Sequence, residues 1–197
     1  MTRRFLHPIA AMLIVLVVYW AAMPTTITLE DAGLFQMVCH LGGIAHPPGY
    51  PLFTMVCGAL LHDHGVTGGN LLSAISGALA VAICHVACFE LTRERIFAYV
   101  ASLGWGLSAT FFSQAIIIEV YAPAALLFAV CLWLLVRFRQ EDDDRYWFAL
   151  CFAFGLSLSN HWPLMLLAAP GLAVLATPAL PGLLRRARRV WFLPASV

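Results

Sequence analysis

Long apolar runs broken by short polar interruptions set the pattern of this chain. The run over 5–23 is long enough for one helix across a hydrocarbon core of about 30 Å, at about 1.5 Å per residue. Runs over 70–91, 96–114 and 117–136 read as further spans, with Pro123 tolerable in the first turns of the last. Two shorter runs, 146–160 and 162–177, meet at Asn160-His161-Trp162-Pro163 and predict a helical hairpin. Residues 190–197 read as the start of a seventh span, as though the chain were the N-terminal part of something longer.

Between the first two spans the pattern changes. Leu34, Phe35, Val38 and Leu41 recur at helical spacing, which predicts a short helix over 31–42 with Asp31 at its positive end. Pro47-Pro48 then break the chain, and the apolar run over 50–61 would measure only about 18 Å as a helix, too short to cross. Both segments read as juxtamembrane helices in one loop.

Composition sharpens the class. With 62% apolar residues, 11% charged residues and a mean hydropathy of +0.88, the chain reads as an integral membrane protein. The expected fold is all-α, a polytopic transmembrane helical bundle. A net charge of +1 says nothing about partners, because the charges are segregated along the chain; no nucleic-acid partner is expected, and what matters is where the charges fall. All eleven basic residues are arginine, clustered at 3–4, 93–95, 137–145 and 185–189. If the segment over 50–61 does not cross, every cluster lies on one side of the membrane, and the positive-inside tendency makes that side, with the N-terminus, cytoplasmic. The basic start before 5–23 is also the layout of a signal peptide, but the run is longer than most signal segments and reads as an uncleaved anchor. The six cysteines fall in apolar stretches without a CxxC spacing and read as small buried hydrophobes rather than disulfide or metal ligands.

On this topology Glu30, Asp31, His40, His46, His62, Asp63 and His64 share the outer face with Glu119, Tyr121, Asn160 and His161. Carboxylates and imidazoles beside interfacial helices suit acid/base work on something held at the membrane surface. Asp31 is a candidate general base, against the plainer reading of a residue at a helix N-terminus. Glu119, where a span begins, is a second candidate acid or an exposed interfacial carboxylate. Glu30 could assist or be solvated. His46 is held by the prolines after it, Tyr121 is of the aromatic type common at interfaces, and Asn160-His161 could donate to a phosphate or sugar hydroxyl or serve an ordinary turn. His62-Asp63-His64 is too sparse to read as a metal site.

Glu-Asp-x-Gly at 30–33, His-Pro-Pro-Gly-Tyr-Pro at 46–51, Asn-Leu-Leu-Ser at 70–73, Ser-Gln-Ala at 113–115, Glu-Val-Tyr at 119–121 and Asn160-His161 together resemble the membrane glycosyltransferases of the GT-C class. The likeness is nearest to a family of largely uncharacterised bacterial proteins that includes the animal protein O-mannosyltransferase acting on plexin-type ectodomains. The resemblance implies a GT-C-like N-terminal module, a polyprenyl-phosphate sugar as donor, a protein or glycan acceptor, and a site on the outer face of a bacterial cytoplasmic membrane. By the same analogy Asp31 is the base and Glu119 a second catalytic acid, while Glu30, His46, Tyr50, Tyr121, Asn160 and His161 contact substrate. No metal ligand is implied, and a divalent metal requirement stays open. A transporter or lipid-carrier binding protein is the rival class, and it calls for charged residues deep within the spans, where only His85 is found. A truncated, non-catalytic remnant is the other.

Overall fold

The computed structural model describes residues 3–28, 31–61, 64–179 and 181–182. It is an all-α membrane bundle, with no strand among the described residues. The helices follow in order as α1 (Arg3–Ala22), α2 (Ala32–Leu41), α3 (Pro51–Leu61), α4 (Gly65–Thr92), α5 (Arg95–Gly106), α6 (Ala109–Ala115), α7 (Tyr121–Glu141) and α8 (Asp144–Ala176), the last running into a 3-10 turn at Thr177–Ala179. By length and composition α4, α7 and the stretch Asp144–Ala179 are each apolar enough to cross a membrane, and α5 with α6 forms a bent fourth candidate. At 10 and 11 residues, α2 and α3 are not.

The axis of the bundle is α4, which packs on α1, α5 and α7. Its buried face is small: Ser73, Ala74, Gly77, Ala78 and Val81 let neighbouring backbones approach closely, as apolar solvent demands when no hydrophobic drive separates helix from lipid. Ala11, Val15 and Tyr19, four residues apart on α1, fill that face, while Leu13, Ile14, Val17 and Trp20 remain exposed where lipid would lie. The Tyr19 hydroxyl donates to the Gly106 carbonyl at 2.7 Å, which ties α1 to the end of α5. Helix ends carry recognisable stops. Arg93 and Asp142 adopt left-handed backbone after α4 and α7, their N–H groups returning to Phe89 and Phe138, and the Asp143 carboxylate accepts from Arg145 N–H at the start of α8.

Two helix expectations are corrected. The segment over 96–114 is not one straight span: α5 stops at Gly106, and α6 departs at 64°. The Ser108 hydroxyl donates to the Trp105 carbonyl at 2.7 Å and its backbone is extended, so the serine takes over a carbonyl that a continuing helix would have used. The helix expected from residue 117 begins only at Tyr121, because residues 116–120 form a buried non-helical strap whose backbone groups are taken by side chains of α4 and α8.

Within α8 the backbone leaves helical geometry at His161 (φ −153, ψ 85). A straight path from Asp144 to Gly182 would run roughly 57 Å at ~1.5 Å per residue. Instead a side chain at Gly182 would come within 3.8 Å of Asp142 Oδ1, beside the start of α8. The two arms therefore double back at His161, and both pack on α7 through Phe138, Leu150, Met165 and Ala176.

The cysteine expectation is overturned for two of the six: Cys39 of α2 and Cys57 of α3 form a disulfide with S–S 2.08 Å. Both lie on the short helices, which face each other through Phe35, Val38 and Phe53. The expected seventh span at 190–197 and the arginines at 185–189 lie outside the described residues.

Candidate active site

Between α6 and α7, polar backbone runs through apolar surroundings. Such a strap survives only where protein groups replace the missing helical hydrogen bonds. Asn70, buried on α4, accepts from Ile118 N–H at 2.8 Å and donates through Nδ2 to the Pro24 carbonyl at 3.0 Å. One turn on, the Ser73 hydroxyl donates to the Glu119 carbonyl at 3.3 Å and accepts from Glu119 N–H at 3.1 Å. Asn160 of α8 donates to the Val120 carbonyl at 3.1 Å. Three side chains from two helices thus fix residues 118–120, and Glu119, 2% exposed, is held with its Oε2 accepting from Val120 N–H.

Asp31 stands at the N-terminus of α2, yet its carboxylate does not cap the helix. It meets His46 instead, Oδ2 to Nε2 at 3.0 Å, while His46 Nδ1 lies 3.0 Å from the Pro47 carbonyl. A carbonyl and a carboxylate are both acceptors, so the ring satisfies both partners at once by carrying a proton on each nitrogen. The Pro47 carbonyl first, opposed by the cost of burial, and then the hydrogen bond and charge of Asp31 and the charge of Glu119, hold His46 above the ordinary histidine pKa. The pair is open to water, with side-chain exposures of 36% for His46 and 56% for Asp31. It is accordingly a screened contact that orients more than it stabilises.

Aromatic rings join this pair to the strap and the hairpin. His46 meets Tyr50 edge-on at 5.4 Å, Tyr50 stacks on His161 at 5.8 Å with planes 5° apart, and Tyr121 meets His161 edge-on at 5.1 Å. His161 leaves helical geometry because its ring serves the second arm of α8, accepting from Leu164 N–H at 3.3 Å. Burial first, then the charges of Tyr121, Asp31 and Glu119, push the Tyr50 phenol above its usual pKa, so these groups sense one another across the cluster. Tyr121 also lines a cavity of about 750 Å³ between the α5–α6 bend, α7 and the second arm of α8, walled mainly by Trp105, Phe111, Phe128 and Leu167.

Asp31, His46, Tyr50, Glu119, Tyr121, Asn160 and His161 therefore gather at one end of the bundle from three separate segments. Glu30, His62 and Asp63 lie outside the described residues, and His64 stands at the N-terminus of α4. The described arginines sit at the opposite end, where Arg137 of α7 pairs with Glu90 of α4 at 3.2 Å. Among the described residues no three of His, Cys, Asp and Glu are grouped so as to hold a metal ion.

Sequence reasoning passed over the positioning groups. Asn70 and Ser73 stood in the motif without a role, and their signal was two polar residues one turn apart on an otherwise small, apolar helix face. The disulfide had a signal as well, since Cys39 and Cys57 are the cysteines of the two helices too short to cross. Gln36, whose side-chain amide donates to the Val66 carbonyl at 3.0 Å and ties α2 to α4, had none.

The family described as "Protein O-mannosyl-transferase TMEM260 N-terminal domain" matches residues 31–178, a stretch that contains every described residue of the cluster. "Protein O-mannosyl-transferase TMEM260" of Mus musculus is 29% identical over 157 residues, covering 76% of this chain and 22% of its own length. "Protein O-mannosyl-transferase tmem260" of Dictyostelium discoideum is 23% identical over 175 residues, covering 78% of this chain and 21% of its own. The chain thus spans about a fifth of the length of these curated relatives, and no solved structure matches it. With three quarters of its residues inside that match, the chain belongs to the family of the TMEM260 protein O-mannosyl-transferase N-terminal domain.

Proposed function

We propose that this chain supplies the catalytic end of a membrane glycosyltransferase of the GT-C type. It moves a sugar, mannose by analogy with the relatives' names, from a polyprenyl-phosphate carrier to a hydroxyl of a protein or glycan on the extracytoplasmic side. The observation that supports this most is the convergence of Asp31 with His46, Glu119 and His161 beside a mainly apolar cavity of about 750 Å³. The Cys39–Cys57 disulfide supports the outer location, because such bonds persist in oxidising compartments.

In the proposed reaction the acceptor oxygen attacks the anomeric carbon as the bond from that carbon to the carrier phosphate breaks. The electron pair leaves on the phosphate, and the hydroxyl proton passes to Asp31. His46 fixes the carboxylate's direction through Oδ2 and, as an imidazolium, lies where the negative charge of the leaving phosphate develops. Glu119 is held by its own backbone on the strap, and Tyr50, Tyr121, Asn160 and His161 form the wall against which the sugar-phosphate rests.

The test uses the full-length protein in liposomes with polyprenyl-phosphate mannose and an acceptor hydroxyl. Loss of a positioned base lowers transfer about 10²-fold or more. Asp31→Asn is expected to fall that far while still retaining the lipid donor, and equal transfer by variant and wild type would remove Asp31 from the role.

A further inference from the structure

The opposite end of the bundle holds a second cavity, of about 530 Å³, between α1, α4, α5 and α7. Its charged lining is lopsided: Arg93, Arg95 and Arg137 face it against the single carboxylate of Glu90. Arg137 is already engaged, by Glu90 at 3.2 Å, by Glu141, and by donation to the Tyr146 hydroxyl at 2.9 Å. Arg93 and Arg95 have no ion-pair partner among the described residues, and Arg95 opens α5, where the helix N–H groups also favour negative charge. Glu94, the other acid on this loop, is not part of the lining.

Two buried donors reach the same region without a hydrogen-bond partner among the described residues: the indole N–H of Trp133 and the Nε–H of Arg137. Both can only donate, so what completes them must accept. The remaining walls are the imidazoles of His7 and His85 and the apolar side chains of Pro8, Val86 and Phe89.

We propose that this cavity is a phosphate-recognition site, with Arg93 and Arg95 at its mouth and Trp133 and Arg137 within, that seats the headgroup of an anionic membrane phospholipid. Phosphate oxygens accept and do not donate, and arginine suits them by its planar fork. The volume exceeds what a free phosphate ion fills, and the apolar walls suit the glycerol and first acyl carbons of a lipid. None of this draws on the chemistry assigned to Asp31.

The full-length protein is reconstituted in nanodiscs of phosphatidylcholine with a minor fraction of phosphatidylglycerol, and retained lipid is read by native mass spectrometry after detergent release. Wild type is expected to retain phosphatidylglycerol preferentially. Arg93→Gln with Arg95→Gln, both at exposed positions, should weaken that retention about thirtyfold, the effect of two charges near a phosphate surface. Trp133→Phe, which keeps the ring and deletes the N–H, should weaken it further with unchanged thermal unfolding. A parallel arm adds millimolar inorganic phosphate: displacement of the lipid supports the same site with a free phosphate as its occupant. Equal phosphatidylglycerol retention by wild type and the double variant, with no protection by phosphate, overturns the proposal.

Discussion

Asn70→Ala isolates the strap that carries Glu119. In the wild type the Asn70 side chain makes two bonds to backbone, accepting from Ile118 N–H at 2.8 Å and donating to the Pro24 carbonyl at 3.0 Å, at 2% exposure. Alanine removes both and leaves a buried amide N–H without its acceptor. An unsatisfied buried donor costs about 1–3 kcal/mol and a lost bond about 1 kcal/mol. Interhelical bonds in bilayers average nearer 0.6 kcal/mol, because the unfolded reference also finds partners. The expected destabilisation is therefore about 2–3 kcal/mol. Ser73→Ala, which removes longer bonds at 3.1 and 3.3 Å, should cost about half as much. SDS titration of the full-length protein from mixed micelles measures both. The proposed sugar transfer should fall in the same order, since the displaced strap takes Glu119 with it. If Asn70→Ala unfolds at the wild-type SDS fraction, or Ser73→Ala proves the worse of the two, side chains of α4 do not hold the strap.

Three further outcomes follow from particular contacts. Maleimide should leave Cys39 and Cys57 unmodified until a reductant is added, and Cys39→Ser with Cys57→Ser should cost about 3 kcal/mol for a crosslink spanning 18 residues; labelling of both without reductant would contradict the bond. Gly106→Ala would set a methyl 2.5 Å from Val81 Cγ2, an overpacking expected to cost about 1–3 kcal/mol, and an unchanged unfolding midpoint would contradict the close approach of α4 and α5. His46 has a raised pKa in the folded state, so its contribution is fully present below the unfolded histidine value near 6.5 and is lost as pH rises through the folded value. A comparison of wild type with His46→Gln across pH should show a small difference that disappears on the alkaline side, and a difference that grows there would reverse the sign of the pairing.

The all-α membrane class was legible because apolar length and arginine position are properties of whole segments, and substitution of a few residues leaves them intact. The candidate residues were legible as chemistry: a carboxylate, two imidazoles and a buried acid interrupt apolar runs that have no packing use for them. How they are held was not legible. The strap at 116–120 reads as apolar as the helices around it, and only the presence of Asn70, Ser73 and Asn160 across the bundle makes a non-helical backbone tolerable there. The bend after Gly106 turns on one serine whose hydroxyl reaches back three residues, a choice that periodicity over 96–114 cannot register. The disulfide was obscured by treating six cysteines alike, when two of them sit on helices too short to cross and face each other across a turn of chain.

Everything proposed for the cluster requires that α2 and α3 stay on the side of the membrane where α7 begins and α8 turns. Single cysteines replacing Asp31, Tyr121 and Arg139 in a cysteine-free background, probed with a membrane-impermeant maleimide on intact cells and on inverted vesicles, address this directly. Positions 31 and 121, both exposed, should react from the outer compartment and position 139 from the inner one. Reaction of positions 31 and 121 from opposite compartments would separate Asp31 from Glu119 by the thickness of a bilayer and dissolve the site.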